Sequence, residues 1–71
     1  MTNNPTIDKN GTKKWYNSQR QLHRDDGPAI EWYDGVKDWY QNGLLHREDG
    51  PASEWPDGPY DYWYINGKRI I

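Results

Sequence analysis

The sequence predicts an all-β protein: an antiparallel meander of consecutive short β-hairpins with no substantial helix. Three observations carry this prediction. Glycine recurs every seven to nine residues between positions 27 and 67, which leaves alternating segments too short for helices. Asn-Gly and Asp-Gly pairs, typical of tight hairpin turns, stand between these segments. The chain also repeats itself, because Trp15, Trp39 and Trp63 begin similar segments spaced 24 residues apart.

Each predicted strand is bounded by these turn residues. Asp-Gly-Pro-Ala at 26–29 and 49–52 marks one kind of turn, after which proline opens the next strand where no ladder donor is needed. The predicted strands are 12–17, 20–24, 28–33, 36–41, 44–47, 51–55, 60–65 and 68–71.

The remaining turns carry Gly at their second central position. Asn42-Gly43 and Asn66-Gly67 predict type I′ turns, in which both central residues have positive φ. Asp34-Gly35 and Asp57-Gly58 are expected to serve similarly. In the first copy, Asn17-Ser18-Gln19 stands where the second copy has its Asn-Gly turn.

The repeat divides the 71 residues into a leader and one domain. Residues 1–11 have no periodicity and are expected to form a flexible N-terminal leader. Residues 12–71 form a single β-repeat domain, because a chain of this length supports only one core. The third copy is truncated, with Ile70-Ile71 in place of the His-Arg pair of the other two.

Composition excludes several classes of protein. The chain has no cysteine and two histidines, so neither a disulfide framework nor a Cys/His zinc site is expected, and no cofactor is predicted. A net charge of −2 argues against generic DNA binding. The N-terminal stretch is polar and no long apolar segment follows, so we expect no signal peptide, no membrane span and a cytoplasmic protein.

Aromatic rings dominate the apolar residues. Five Trp and six Tyr stand against only ten Ile, Leu, Val and Met residues, so a mostly aromatic core is expected. Alternation along each Trp-Tyr strand places the Trp on one face and the Tyr on the other. Because both faces then carry apolar surface, we expect a homodimer.

The repeated motif Trp-Tyr-x-Asn-Gly-x-x-His-Arg-x-Asp-Gly-Pro-Ala resembles the MORN-like repeats of small phage, bacterial and giant-virus proteins. The resemblance covers about residues 13–69. It implies consecutive hairpins in an elongated sheet that serves as an interaction or lipid-associating platform rather than as a catalyst. For a chain of this length it also implies a phage or bacterial accessory factor that modulates its host or blocks a defence system, in the host cytoplasm if phage-encoded.

The His-Arg pairs are the polar residues that could form a repeated anion site. Alternation places the two members of each pair on opposite faces, and in one interpretation each histidine bonds a turn carboxylate or a carbonyl while each arginine stacks on tryptophan. In the other, Arg24 and Arg47 hold phosphate or carboxylate beside Trp rings, as a nucleotide site requires.

Catalysis is not expected. Glu31 and Glu54 occupy equivalent positions and so similar environments, whereas a general acid and a nucleophile need different ones; pairing with Lys37 or an arginine is predicted instead. Asp25, Asp26, Glu48 and Asp49 lack the ligand spacing of a calcium loop.

Three functions remain open. The first is stoichiometric binding to a protein partner through an aromatic face, in its concrete form inhibition of a host complex. The second is a sponge that sequesters a nucleotide messenger, and the third is a structural repeat module that pairs through its sheet edges. The candidate binding residues are Trp15, Tyr16, His23, Arg24, Trp39, Tyr40, His46, Arg47, Trp63 and Tyr64.

Overall fold

A computed structural model describes residues 4–58 and 61–70. The described residues form only short strands and no helix, which confirms the all-β antiparallel prediction. Residues 1–3 of the predicted leader and residues 59, 60 and 71 of the predicted domain lie outside the described residues. The strands are β1 (Thr6–Ile7), β2 (Lys13–Lys14), β3 (Ile30–Glu31), β4 (Lys37–Asp38), β5 (Tyr40–Gln41), β6 (Leu44–Leu45), β7 (Ser53–Glu54), β8 (Tyr64–Ile65) and β9 (Lys68–Arg69).

Five of these strands form one antiparallel sheet in the order β1-β2-β3-β4-β7. Part of the predicted leader belongs to it, since Thr6 pairs with Lys14 across β1 and β2. A row of alternating charge crosses the sheet, with Lys13 opposite Glu31, Glu31 opposite Lys37 and Lys37 opposite Glu54. Opposite charges placed directly across antiparallel strands stabilise the register.

Three hairpins form a second row beside this sheet. The first is closed by the bridge between Tyr16 and Leu22, the second is β5-β6 and the third is β8-β9. Backbone bonds join neighbouring hairpins: the Arg24 N–H donates to the Tyr40 carbonyl (3.3 Å), and the Arg47 N–H to the Tyr64 carbonyl (3.1 Å). We call these three hairpins the hairpin row.

The Asn-Gly turns have the predicted geometry. Asn42 and Gly43 have φ values of 50° and 84°, and Asn66 and Gly67 have 49° and 80°, as type I′ turns require. The Asp-Gly pairs do not share this geometry, because Gly35 (φ 97°) is the one residue of these pairs that has positive φ. The first hairpin turns differently, because the Asn17 carboxamide oxygen accepts the N–H groups of Gln19 and Gln21 while Arg20 takes φ 63°.

The core is small and only partly aromatic. Trp15 is 7% exposed, but the other Trp and Tyr residues described in the hairpin row are half-buried. A molecule only 15 Å thick along its shortest axis leaves large rings partly at the surface, so the expectation of a mostly aromatic core holds only in part. The buried apolar residues are Trp15, Ala29, Ile30, Val36 and Ala52.

Candidate functional site

In the first two copies, the arginine of the His-Arg pair lies on the tryptophan that begins the copy. The Arg24 guanidinium carbon is 3.9 Å from the Trp15 ring centroid, and that of Arg47 is 3.8 Å from the Trp39 ring. This is cation–π geometry, and it confirms the interpretation in which each arginine stacks on tryptophan. We call each pair an Arg-Trp stack.

Hydrogen bonds within the same copy hold each stacked guanidinium. Arg47 Nε donates to Asp49 Oδ1 at 3.1 Å, and Nη1 donates to the Pro51 carbonyl at 3.2 Å. Nη1 also lies 3.1 Å from Glu54 Oε2, and the other oxygen of Glu54 accepts from the Trp39 indole N–H at 3.2 Å. The Trp39 ring, the Arg47 guanidinium and the Glu54 carboxylate therefore each contact the other two.

The first copy repeats this arrangement. Arg24 Nε donates to Asp26 Oδ1 at 3.1 Å, while Nη1 donates to the Pro28 carbonyl at 3.2 Å and to Glu31 Oε2 at 3.1 Å. The predicted pairing of Glu31 and Glu54 with arginine is confirmed. One face of each guanidinium and its Nε and Nη1 atoms are thus occupied in both copies, so a phosphate that used these two nitrogens would have to displace their present partners.

The histidines connect each copy to the next. His23 Nδ1 accepts the backbone N–H of Asn42, and His46 Nδ1 accepts that of Asn66, both at 3.0 Å. Their Nε2 atoms lie 3.0 Å from Asp25 Oδ1 and 3.3 Å from Glu48 Oε2. An imidazole that accepts at Nδ1 carries its proton at Nε2, where it donates to the carboxylate. The carboxylate partner was predicted, whereas the bond to the following turn was not.

The structure therefore places the sequence-predicted candidates within the repeat scaffold. Trp15 is in the core, and Trp39, Trp63 and the three tyrosines are half-buried along the hairpin row. A cleft of about 700 Å³ brings some of them together between the second and third hairpins. Its lining includes Trp39, His46 and Arg47, together with Asn42, Glu48, Asp49 and Asn66.

Tyr40 is the one described residue with a clear electrostatic perturbation. Burial, reinforced by the negative charge of Asp38 and by Tyr64, raises the pKa of the Tyr40 phenol above its ordinary value of 10.0. The charge of a phenolate is disfavoured where water is partly excluded and a carboxylate is near. Tyr40 thus stays neutral at physiological pH and contributes its ring to packing.

Two exposed tryptophans were not among the binding residues predicted from the sequence. Trp32 is 37% exposed and Trp55 is 44% exposed. They occupy equivalent positions, each following the glutamate that binds the stacked arginine. Their recurrence two residues before the aspartate of an Asp-Gly pair was visible in the sequence, but the sequence did not indicate which of the repeated rings face solvent.

Trp32 and Trp55 line a common open slot of about 270 Å³. We call it the aromatic slot. The other three residues of its lining are Asp34, Val36 and Asp38, which come from the turn and strand that lie between the two tryptophans in the sequence. Two repeats are therefore needed to form one slot.

Comparison with family models, curated proteins and solved structures finds no match to this chain. The likeness to MORN-like repeats accordingly stays a prediction that depends on the repeated motif alone. Within the described ranges, no segment forms a helix with the length and apolarity needed to cross a membrane. No three potential metal-ligating side chains converge in those ranges either.

Proposed function

We propose that this chain is a small non-catalytic module that binds a protein partner through the aromatic slot. The observation that supports the proposal is the pairing of two exposed tryptophans around one concave surface. Tryptophan is enriched among the residues that dominate interface energetics, and it contributes most when a partner covers it in a pocket. Two exposed rings at one concave surface form a contiguous apolar patch, and such patches are typical of interaction sites.

The nucleotide sponge has weaker support. It needs Arg24 and Arg47 to face a ligand, but their Nε and Nη1 donors already bond acceptors of their own copy. Their guanidinium planes also lie against Trp15 and Trp39. These contacts give both arginines a structural role. The aromatic slot is therefore the stronger candidate for a binding surface.

The identity of the partner follows only from the resemblance. In that form of the proposal, the chain is a phage or bacterial accessory factor that inhibits a host protein complex in the cytoplasm. A homodimer is part of the same proposal, since a second copy would also cover exposed rings. Neither inhibition of a host complex nor the homodimer strengthens the argument that is based on the aromatic slot.

Photo-crosslinking tests the proposal. Tyr33 is 65% exposed and stands between the slot residues Trp32 and Asp34 in the sequence, so p-benzoylphenylalanine at this position probes a partner bound beside the slot without replacing a lining side chain. The same group at the exposed Gln19, in the first hairpin turn, is the control. In cells that produce the protein, we expect adducts heavier than the 8.5 kDa chain from position 33 and few from position 19.

The adducts should disappear when Trp32→Ala and Trp55→Ala are added. An adduct of twice the chain mass would identify a second copy as the partner, and a heavier or intermediate one a different protein. Equal crosslinking from positions 33 and 19, or none from position 33, would contradict the proposal.

A further inference from the structure

We propose that the aromatic slot binds the side chain of an arginine presented by the protein partner. The inference depends on the proposed function and specifies its chemistry. A volume of about 270 Å³ lies below the roughly 300–1,000 Å³ typical of small-molecule pockets, so one inserted side chain suits the slot better than a whole ligand does.

The two rings are fixed by a shared hydrogen-bond network. Asp38 Oδ2 accepts the indole N–H of Trp32 at 2.9 Å, and Asp38 Oδ1 accepts the Ser53 hydroxyl at 2.6 Å. The Ser53 oxygen in turn accepts the indole N–H of Trp55 at 3.2 Å. Because Asp38 and Ser53 orient both indoles, the slot is formed before a ligand arrives, which lowers the entropy lost on binding.

The charge of the slot favours a cation. Its two ionisable lining residues are the carboxylates Asp34 and Asp38, and no cationic residue lines it. Neither carboxylate takes part in the ion pairs found among residues 4–58 and 61–70. An ionised carboxylate has about four acceptor positions, and the two bonds to Asp38 leave room for a guanidinium to donate.

The chain itself shows that this combination of groups binds arginine. Both Arg-Trp stacks place a guanidinium on an indole ring with carboxylates at its edge. Lys14 is not a lining residue, but its ammonium lies 5.7 Å from the Trp32 ring centroid, so a cation already lies near this ring. Arginine fits better than lysine because its planar group can stack on an indole and donate to a carboxylate at the same time.

Titration with blocked tripeptides tests the assignment. Gly-Arg-Gly and its neutral analogue Gly-citrulline-Gly, which keeps the shape but loses the charge, are added to the ¹⁵N-labelled protein. The arginine peptide should shift the indole N–H signals of Trp32 and Trp55, and its affinity should exceed that of the citrulline peptide by roughly tenfold. Equal affinity for both peptides, or equal affinity for Gly-Lys-Gly, would overturn the inference.

Variants assign the effect to the slot. Asp34→Asn removes one slot charge but leaves the Asp38 network intact, and Trp55→Ala removes one ring; each should weaken arginine binding, the ring loss by about tenfold. Asp57→Asn is the matched control, because Asp57 occupies the equivalent position of the next copy but does not line the slot. It should bind as the parent does, and unchanged hairpin-row amide signals identify variants that remain folded.

The outcome is separable from that of the proposed function. Crosslinking from position 33 without any response to the arginine peptide would leave protein binding intact and refute the arginine site. Arginine binding without localised crosslinking would support the site and refute the proposed function. Indole shifts that grow with protein concentration, in the absence of peptide, would show that a second copy fills the slot and would also overturn the assignment to a different partner's arginine.

Discussion

At the scale of single residues, several side chains that suggest a ligand site are occupied by contacts within the chain. The Arg47 guanidinium stacks on the Trp39 ring. It also bonds the Asp49 carboxylate, the Pro51 carbonyl and the Glu54 carboxylate. The close approach of this guanidinium to Gly50 explains why both copies have glycine in the Asp-Gly-Pro-Ala turn. A Cβ built on Gly50 would lie 2.8 Å from the Arg47 Cζ atom, closer than side-chain contacts allow.

Gly50→Ala should therefore destabilise the protein. The guanidinium is held by several bonds and cannot simply swing aside, so we expect a loss of about 1–3 kcal/mol in the free energy of unfolding, as for overpacked sites generally. Urea denaturation followed by tryptophan fluorescence measures it. Gly58→Ala is the control, because its Cβ would meet only the Trp55 carbonyl oxygen at an ordinary 3.8 Å. Similar losses for the two variants would contradict this explanation.

At the scale of elements, the Asn-Gly turns were predictable because type I′ geometry depends on two adjacent residues. The Arg-Trp stacks were one of the interpretations left open by the sequence, because alternation places His and Arg on opposite faces without deciding which of them lies on the Trp side. The link between hairpins was not predicted. His23 and His46 accept N–H groups 19 and 20 residues further along the chain, and only the side-by-side arrangement of the hairpins brings these atoms together.

His46→Ala should loosen the third hairpin selectively. Without Nδ1, the Asn66 N–H loses its protein acceptor, and because this bond is exposed, water replaces part of it, so we expect a loss of about 0.5–1 kcal/mol. Hydrogen exchange should accelerate at the described amides of residues 64–70 more than in the five-stranded sheet.

His46→Asn provides the matched control. Its side-chain oxygen can take the place of Nδ1 as acceptor, so it should restore much of the protection. Uniform acceleration across the molecule in His46→Ala, or no recovery in His46→Asn, would show that the bond does not couple the hairpins.

At the scale of the whole molecule, the sequence predicted the fold class but not the surface. Copies of one motif look alike in sequence, yet Trp15 is buried whereas the equivalent Trp39 and Trp63 are half-buried. The slot combines residues at the end of the first copy with Trp55 of the second, so no single copy contains it. Burial in a molecule this thin depends on which rings are covered by neighbouring copies, and local alternation does not determine that.

The five-stranded sheet and the hairpin row also interact electrostatically at Tyr40, a residue of the hairpin row. Burial, Asp38 of the sheet and Tyr64 of the next hairpin all raise the pKa of its phenol. Its folded pKa lies above 10.0, while the unfolded phenol titrates near its ordinary value. Below the unfolded pKa both states keep the phenol proton, and the folded state has its full stability relative to the unfolded state. As the pH rises from about 10 through the raised folded pKa, the unfolded state loses its proton more readily and this stabilisation is lost.

Alkaline unfolding should therefore depend on Tyr40 in particular. The midpoint urea concentration of the parent should fall as the pH rises above about 10, and Tyr40→Phe, which keeps the ring and cannot ionise, should flatten that decline. Tyr33→Phe removes the phenol of a tyrosine that is 65% exposed, and it should leave the decline as steep as in the parent. Because the perturbation arises where the sheet and two hairpins converge, equal slopes for the parent and Tyr40→Phe would mean that ionising this phenol does not disturb the junction between the rows.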